Sequence, residues 1–116
     1  MRRTRTAATG LAEAAPVFAA LGDRTRLRIV ARLSGHGPQS ITRLADGASV
    51  SRQAITKHLR ALEVAGLARS SRAGRERIWE LRTSRLSDAT RYLDQISHRW
   101  DAAIDRLRAL VETAEQ

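Results

Sequence analysis

Apolar positions recur along this chain at helical spacing for most of its length. From Leu11 to Leu21 an alanine-rich stretch predicts a helix, with Pro16 tolerable near its start and Gly22 closing it. Asp23 is placed to cap the next helix. There Leu27, Ile29, Val30 and Leu33 supply the buried side, and Arg24, Arg28 and Arg32 form an exposed row one turn apart. The segment SGHGPQ at 34–39 reads as a loop from its glycines and proline. Ser40 then caps a short helix, ITRLAD, that stops at Gly47. Ser51 caps another, with Ile55, Leu59 and Leu62 on one face and Gly66 just past its end. Two short helices joined by a tight glycine-containing turn make a helix-turn-helix.

After Gly66 the period shortens. LARSSR and RERIWEL are strand-like runs, and Ala73-Gly74 between them supplies the positive-φ residue of a hairpin turn. From Leu86 to the end a long helix is expected. Leu86, Thr90, Leu93, Ser97, Trp100, Ile104, Leu107 and Val111 alternate at spacings of four and three. Ala89, Ile96, Ala103 and Leu110 widen this heptad seam. The predicted architecture is mainly α with a small β-hairpin, in the order α-α-α-α-β-β-α. Residues 1–10 form a disordered basic tail, and 11–116 a single winged helix-turn-helix domain.

The bulk numbers change this picture in two ways. Only 3% of the 116 residues are aromatic although 42% are hydrophobic, so the core must be aliphatic and gains from burial against a second subunit. The net charge is +9 and is unevenly placed. Residues 51–77 hold seven basic and two acidic side chains, whereas 78–116 hold one more acidic than basic. Charge concentrated in one segment marks a face for a polyanion; the competing explanation is the general arginine richness of the chain. The absence of cysteine excludes disulfides, thiolate metal sites and thiol redox chemistry. The basic N-terminus is followed by no apolar stretch of a secretory signal, and no run is long enough to span a membrane, so a cytoplasmic location is expected.

If Ile55, Leu59 and Leu62 face inward, Gln53, Thr56, Lys57 and Arg60 face outward. Gln pairs with adenine, Lys with guanine, and Thr with base or backbone. Ser51 and Arg52 stand at the positive end of the same helix, suited to a phosphate, and Ser40 at the start of the preceding helix joins these candidate DNA contacts. A solvated surface helix would carry similar residues. The following hairpin, with Arg69, Arg72, Arg75 and Arg77, shifts the balance, because a basic hairpin directly after such a helix is placed to touch the DNA backbone or minor groove. An enzyme is not indicated: there is no glycine-rich phosphate loop and no supported Ser–His–Asp set.

LGDRTRLRIVARLS at 21–34 and VSRQAITKHLRALEVAGLARSSRAGRERIWEL at 50–81 resemble the second helix, recognition helix and wing of the ArsR/SmtB family of bacterial repressors. The resemblance runs through roughly residues 15–110. It implies a winged-helix fold, a homodimer formed by the first and last helices, and repression of a neighbouring operon. Phe18, Leu21, Leu93, Trp100, Ile104 and Leu107 are the expected dimer interface. The family's metal positions are not matched. Ser40 and Thr42 stand where its thiolates lie, and the last helix offers only Asp88, Thr90, His98 and Asp101. The region around Trp100 resembles the branch without metal ligands, so no cofactor or metal is expected. The expected function is a sequence-specific regulator, a repressor that binds an inverted repeat of double-stranded DNA as a homodimer. Its inducer is not specified by any residue pattern. The alternatives are a metal-responsive repressor and a non-specific architectural DNA-binding protein.

Overall fold

The computed structural model describes residues 7–115. Five helices and three strands follow one another as α1 (Ala7–Leu21), α2 (Arg24–His36), β1 (Gln39–Ser40), α3 (Ile41–Ala45), α4 (Arg52–Val64), β2 (Ala68–Ala73), β3 (Glu76–Leu81) and α5 (Ser84–Glu115).

Local chemistry sets most of these boundaries. The Asp23 carboxylate accepts from the Arg26 backbone N–H at 3.1 Å, opening α2. The hydroxyls of Ser40 and Ser51 accept from the N–H groups of Arg43 and Ala54 at 3.2 and 3.1 Å, opening α3 and α4. In the hairpin Ala73 pairs with Glu76, leaving a two-residue turn. Its first residue, Gly74, has φ +65° and its second, Arg75, does not have positive φ, as among the described residues only glycines do; this is the combination of a type II′ turn.

The strands form one antiparallel sheet in the order β1-β3-β2. Its inner face carries Ala68 and Trp79 into a core with Val17 of α1, Ile29 and Leu33 of α2, Leu44 of α3, and Ile55, Leu59 and Leu62 of α4. Trp79, only 1% exposed, is the largest side chain of that core. The proximal part of α5 closes it, with Ala89 buried, Leu86 packed against the cluster and Tyr92 against Phe18 of α1.

Five expectations need correction. Helix α1 begins at Ala7, so 7–10 are helical rather than tail, in keeping with the high helix propensity of Ala7 and Ala8; residues 1–6 lie outside the described residues. Leu27 is 50% exposed. It stands two residues from Ile29, a rotation of about 200°, and Ile29 and Leu33 already define the buried face. Helix α2 runs on through Ser34, Gly35 and His36 until Gly37 at φ +77°, so the expected loop is shorter. Gln39 and Ser40 form a short strand on β3, which adds a strand to the predicted order. Both wing strands begin one residue later than expected, β3 ending at Leu81 as expected, and α5 starts at Ser84.

Candidate nucleic-acid interface

Helix α4 is driven into the core by Ile55, Leu59 and Leu62, and this fixes what it shows outward. Gln53, Lys57 and Arg60 are exposed, as are Ser51 and Arg52 at its first turn. Thr56 is half-buried and its hydroxyl donates to the Arg52 carbonyl at 2.9 Å, so it is tied to its own helix. Arg52 Nη2 donates to Thr42 Oγ1 at 3.2 Å, linking the start of α4 to α3.

Ser40 is 8% exposed, paired into the sheet opposite Ile78, and its hydroxyl accepts in the α3 cap. It lines the same cleft as Arg52, Arg75 and Arg77.

On the wing Arg72 and Arg77 are direct cross-strand partners, with Arg75 in the turn between them. Like charges in this position repel and weaken a ribbon unless an anion lies between or beside them. Arg77 Nη1 also donates to Ser70 Oγ at 2.9 Å, which steers its guanidinium along the inner face. Arg69 pairs instead with Glu80 across the ribbon on the other face, so its charge is locally offset. Arg52, Arg75 and Arg77 line one cleft with Thr42 and Glu76, which brings the start of α4 and the wing tip to one basic surface.

Two supporting groups are not apparent from sequence spacing. Arg32 donates through Nη1 to the carbonyls of Leu44 and Asp46 at 3.3 and 3.2 Å, satisfying the end of α3 and holding the turn before α4. On the inner flank of α4, His58 Nδ1 accepts from Arg26 Nε at 3.2 Å and lies 3.9 Å from Asp23. The Arg26 backbone N–H, with a smaller part from His58, holds the Asp23 carboxyl below its usual range. All these groups come from positions far apart in the chain, which helical periodicity does not register.

The exposed His98 and Asp101 lie on α5, and Asp88 is flanked by Arg85 and Arg91. Among the described residues no three His, Cys, Asp or Glu side chains come together as a metal site. No described helix is long and apolar enough to cross a membrane. Of the expected dimer residues, Phe18 and Leu21 are half-buried against the core. Leu93, Trp100, Ile104 and Leu107 are exposed on α5, together with Leu110 and Val111.

Residues 21–71 match a helix-turn-helix domain family. The transcriptional regulator Rv2034 of Mycobacterium tuberculosis, of helix-turn-helix type, is 35% identical over 94 residues, spanning 81% of this chain and 84% of its own length. Among solved structures, an ArsR-like transcriptional regulator from Rhodococcus sp. RHA1 superposes with a TM-score of 0.74 at 41% identity, covering 85% of this chain and 92% of that one. A homodimeric winged helix-turn-helix DNA-binding domain from Mycobacterium bovis superposes with a TM-score of 0.60 at 22% identity, over 87% of this chain and 90% of its own, and shares the fold.

Proposed function

As the chain belongs to the ArsR-like family of winged helix-turn-helix transcriptional regulators, we propose that it represses transcription in the cytoplasm by binding an inverted-repeat operator as a homodimer. Regulators of this type bind DNA and are not enzymes. The observation that carries the finer reading is the joint placement of Gln53 and Lys57 on the outer face of α4 and of three arginines at the wing. In this reading α4 enters the major groove, Gln53 and Lys57 read bases, and Ser40, Ser51, Arg52, Thr56 and Arg60 set its register on the backbone. Arg72, Arg75 and Arg77 hold phosphates beside it. The paired repulsion of Arg72 and Arg77 supports this, since a phosphate relieves it. The exposed apolar stripe of α5 supports the dimer, as does the homodimeric state of the M. bovis domain. Two α4 helices related by a twofold axis then meet half-sites about one turn apart, roughly 34–36 Å.

Selection of bound duplexes from a random pool supplies the operator, and gel shifts on operator and scrambled duplex then test the roles. Gln53→Ala and Lys57→Ala are expected to cost about 1–3 kcal/mol on the operator and little on scrambled DNA. Arg72→Ala, Arg75→Ala or Arg77→Ala are expected to weaken both duplexes. Each flattens the log-log salt slope by about 0.9 for every phosphate no longer neutralised. Equal losses on both duplexes for Gln53→Ala and Lys57→Ala would show that these side chains hold only phosphates.

DNA affinity is proposed to be independent of metal. His98 and the carboxylates of α5 give one imidazole per chain and no thiolate, a poor donor set for zinc. Zinc, cadmium and chelators are expected to leave the gel shift unchanged. Calorimetry finding one zinc per chain, with operator binding about tenfold weaker, would overturn this.

A further inference from the structure

Between α2 and the turn that joins α3 to α4 lies a pocket of about 220 Å³. It reaches the edge of the core, where it is lined by Ile29, Leu44 and Ile55, with Val50 of the turn beside them. Arg28 and Arg32, one turn apart on α2, also line it, and no acidic side chain does. Arg32 is only partly committed. Its Nη1 donates to the Leu44 and Asp46 carbonyls at 3.3 and 3.2 Å, which leaves the hydrogens of Nε and Nη2 for other acceptors. Arg28 makes no hydrogen bond or ion pair among the described residues. Like charges one turn apart repel, and an anion held by both removes the repulsion. The pocket shares no residue with the basic cleft of Arg52, Arg75 and Arg77 or with the exposed stripe of α5. It is therefore separate from the proposed DNA face and from the proposed dimer seam.

We infer that this pocket is an effector site for a small carboxylic acid whose apolar body is about the size of one benzene ring. The two guanidinium groups call for an anion, and the aliphatic floor calls for an apolar body; an inorganic anion satisfies only the first. A cavity of about 150 Å³ takes up benzene, so one of about 220 Å³ leaves room for a ring and its carboxylate. The carboxylate accepts from Arg28 and from the uncommitted N–H groups of Arg32, a planar match of charge and shape. The body rests on Ile29, Leu44 and Ile55. Occupancy acts on α4 through the turn. Competition for Arg32 loosens its hold on the Leu44 and Asp46 carbonyls, and residues 47–50 lead directly into the Ser51 cap of α4. The bound negative charge also opposes approach of the DNA backbone. Both effects lower affinity for DNA, and by linkage DNA lowers affinity for the acid by the same factor. This coupling rests on the DNA-binding reading above, whereas the binding of the acid does not.

The probes are sodium benzoate and sodium hexanoate, with benzyl alcohol as the uncharged body and inorganic phosphate as the bare anion. Calorimetry on the full-length protein is expected to show saturable binding of either acid, one per chain. A Kd of about 1 mM or lower is ordinary for so small a ligand. Benzyl alcohol and phosphate should each bind at least about tenfold more weakly. Arg28→Ala, at an exposed position, should keep the parental circular dichroism and thermal midpoint. It should bind benzoate at least about tenfold more weakly, and without benzoate its operator affinity should stay close to parental. Gel shifts are run at constant sodium concentration, because DNA binding is sensitive to salt. Saturating benzoate should weaken operator binding by the parent about tenfold and leave that of Arg28→Ala unchanged. No saturable binding of either acid, or equal binding of benzyl alcohol, would overturn the site. So would binding that Arg28→Ala retains in full, and Trp100→Ala losing it would place the acid on the α5 stripe. Binding that leaves the parent's gel shift unchanged would overturn the effector role. Benzoate binding in a chain that does not prefer operator to scrambled duplex would overturn the DNA reading and leave the pocket assignment supported.

Discussion

Trp100→Ala is expected to yield a folded chain that is largely monomeric at concentrations where the parent protein is dimeric. The indole is 65% exposed on its own protomer, so its loss removes little from the core around Trp79, and circular dichroism should keep its helical signal. In the proposed dimer the ring is buried in the α5 seam, and truncating a buried tryptophan costs about 3–5 kcal/mol. The dissociation constant should therefore rise by a factor of roughly a hundred or more. Sedimentation or light scattering across a concentration series measures this directly. Operator affinity should fall with it, because the second half-site is bound at high effective concentration only while the two α4 helices are linked. Scrambled duplex, gripped by one protomer's charges, should be affected less. A dimer of parental affinity in this variant would remove the seam from the account.

Trp79→Ala should act on the fold itself. Trp79 is 1% exposed, on the central strand of the sheet, opposite Gln39 on one side and Ser70 on the other. Its removal empties the space between the wing and the helix-turn-helix, again at about 3–5 kcal/mol, out of a total of about 5–15 kcal/mol for a small domain. A thermal midpoint lower by roughly 10–30 °C is expected at fixed protein concentration. A change of only a few degrees would mean that the sheet is not braced by this ring. Val64→Ala, at a highly exposed position on α4, should leave the midpoint within measurement error.

How far the residues foretell these sites depends on the range of the interaction. Ser51, Ile55, Leu59 and Gly66 locate α4 and its outer face because capping, periodicity and positive φ are read within a few positions. The wing is legible for the same reason, through Gly74 and the arginines around it. The cap role of Ser40 is legible locally, whereas its small exposure follows from the pairing of β1 on β3 and its place beside Arg52, Arg75 and Arg77 from the fold. Arg32 belongs by spacing to a surface row, although its guanidinium serves two carbonyls of the helix-turn-helix. Leu27 points inward by residue type alone, whereas the choice of buried face on α2 is made by Ile29 and Leu33 together.

The exposed stripe on distal α5 has a consequence for gene control. If pairing through it is needed for tight operator binding, occupancy depends on how much of the chain the cell contains as well as on the quality of the DNA site. Well below the dimer dissociation constant, the amount of dimer follows the square of the amount of chain, so halving synthesis leaves about a quarter of the active species. A promoter governed in this way switches over a narrower range of abundance than one governed by a monomer. Dilution at cell division or slower translation would then be enough to release it, with no inducer bound.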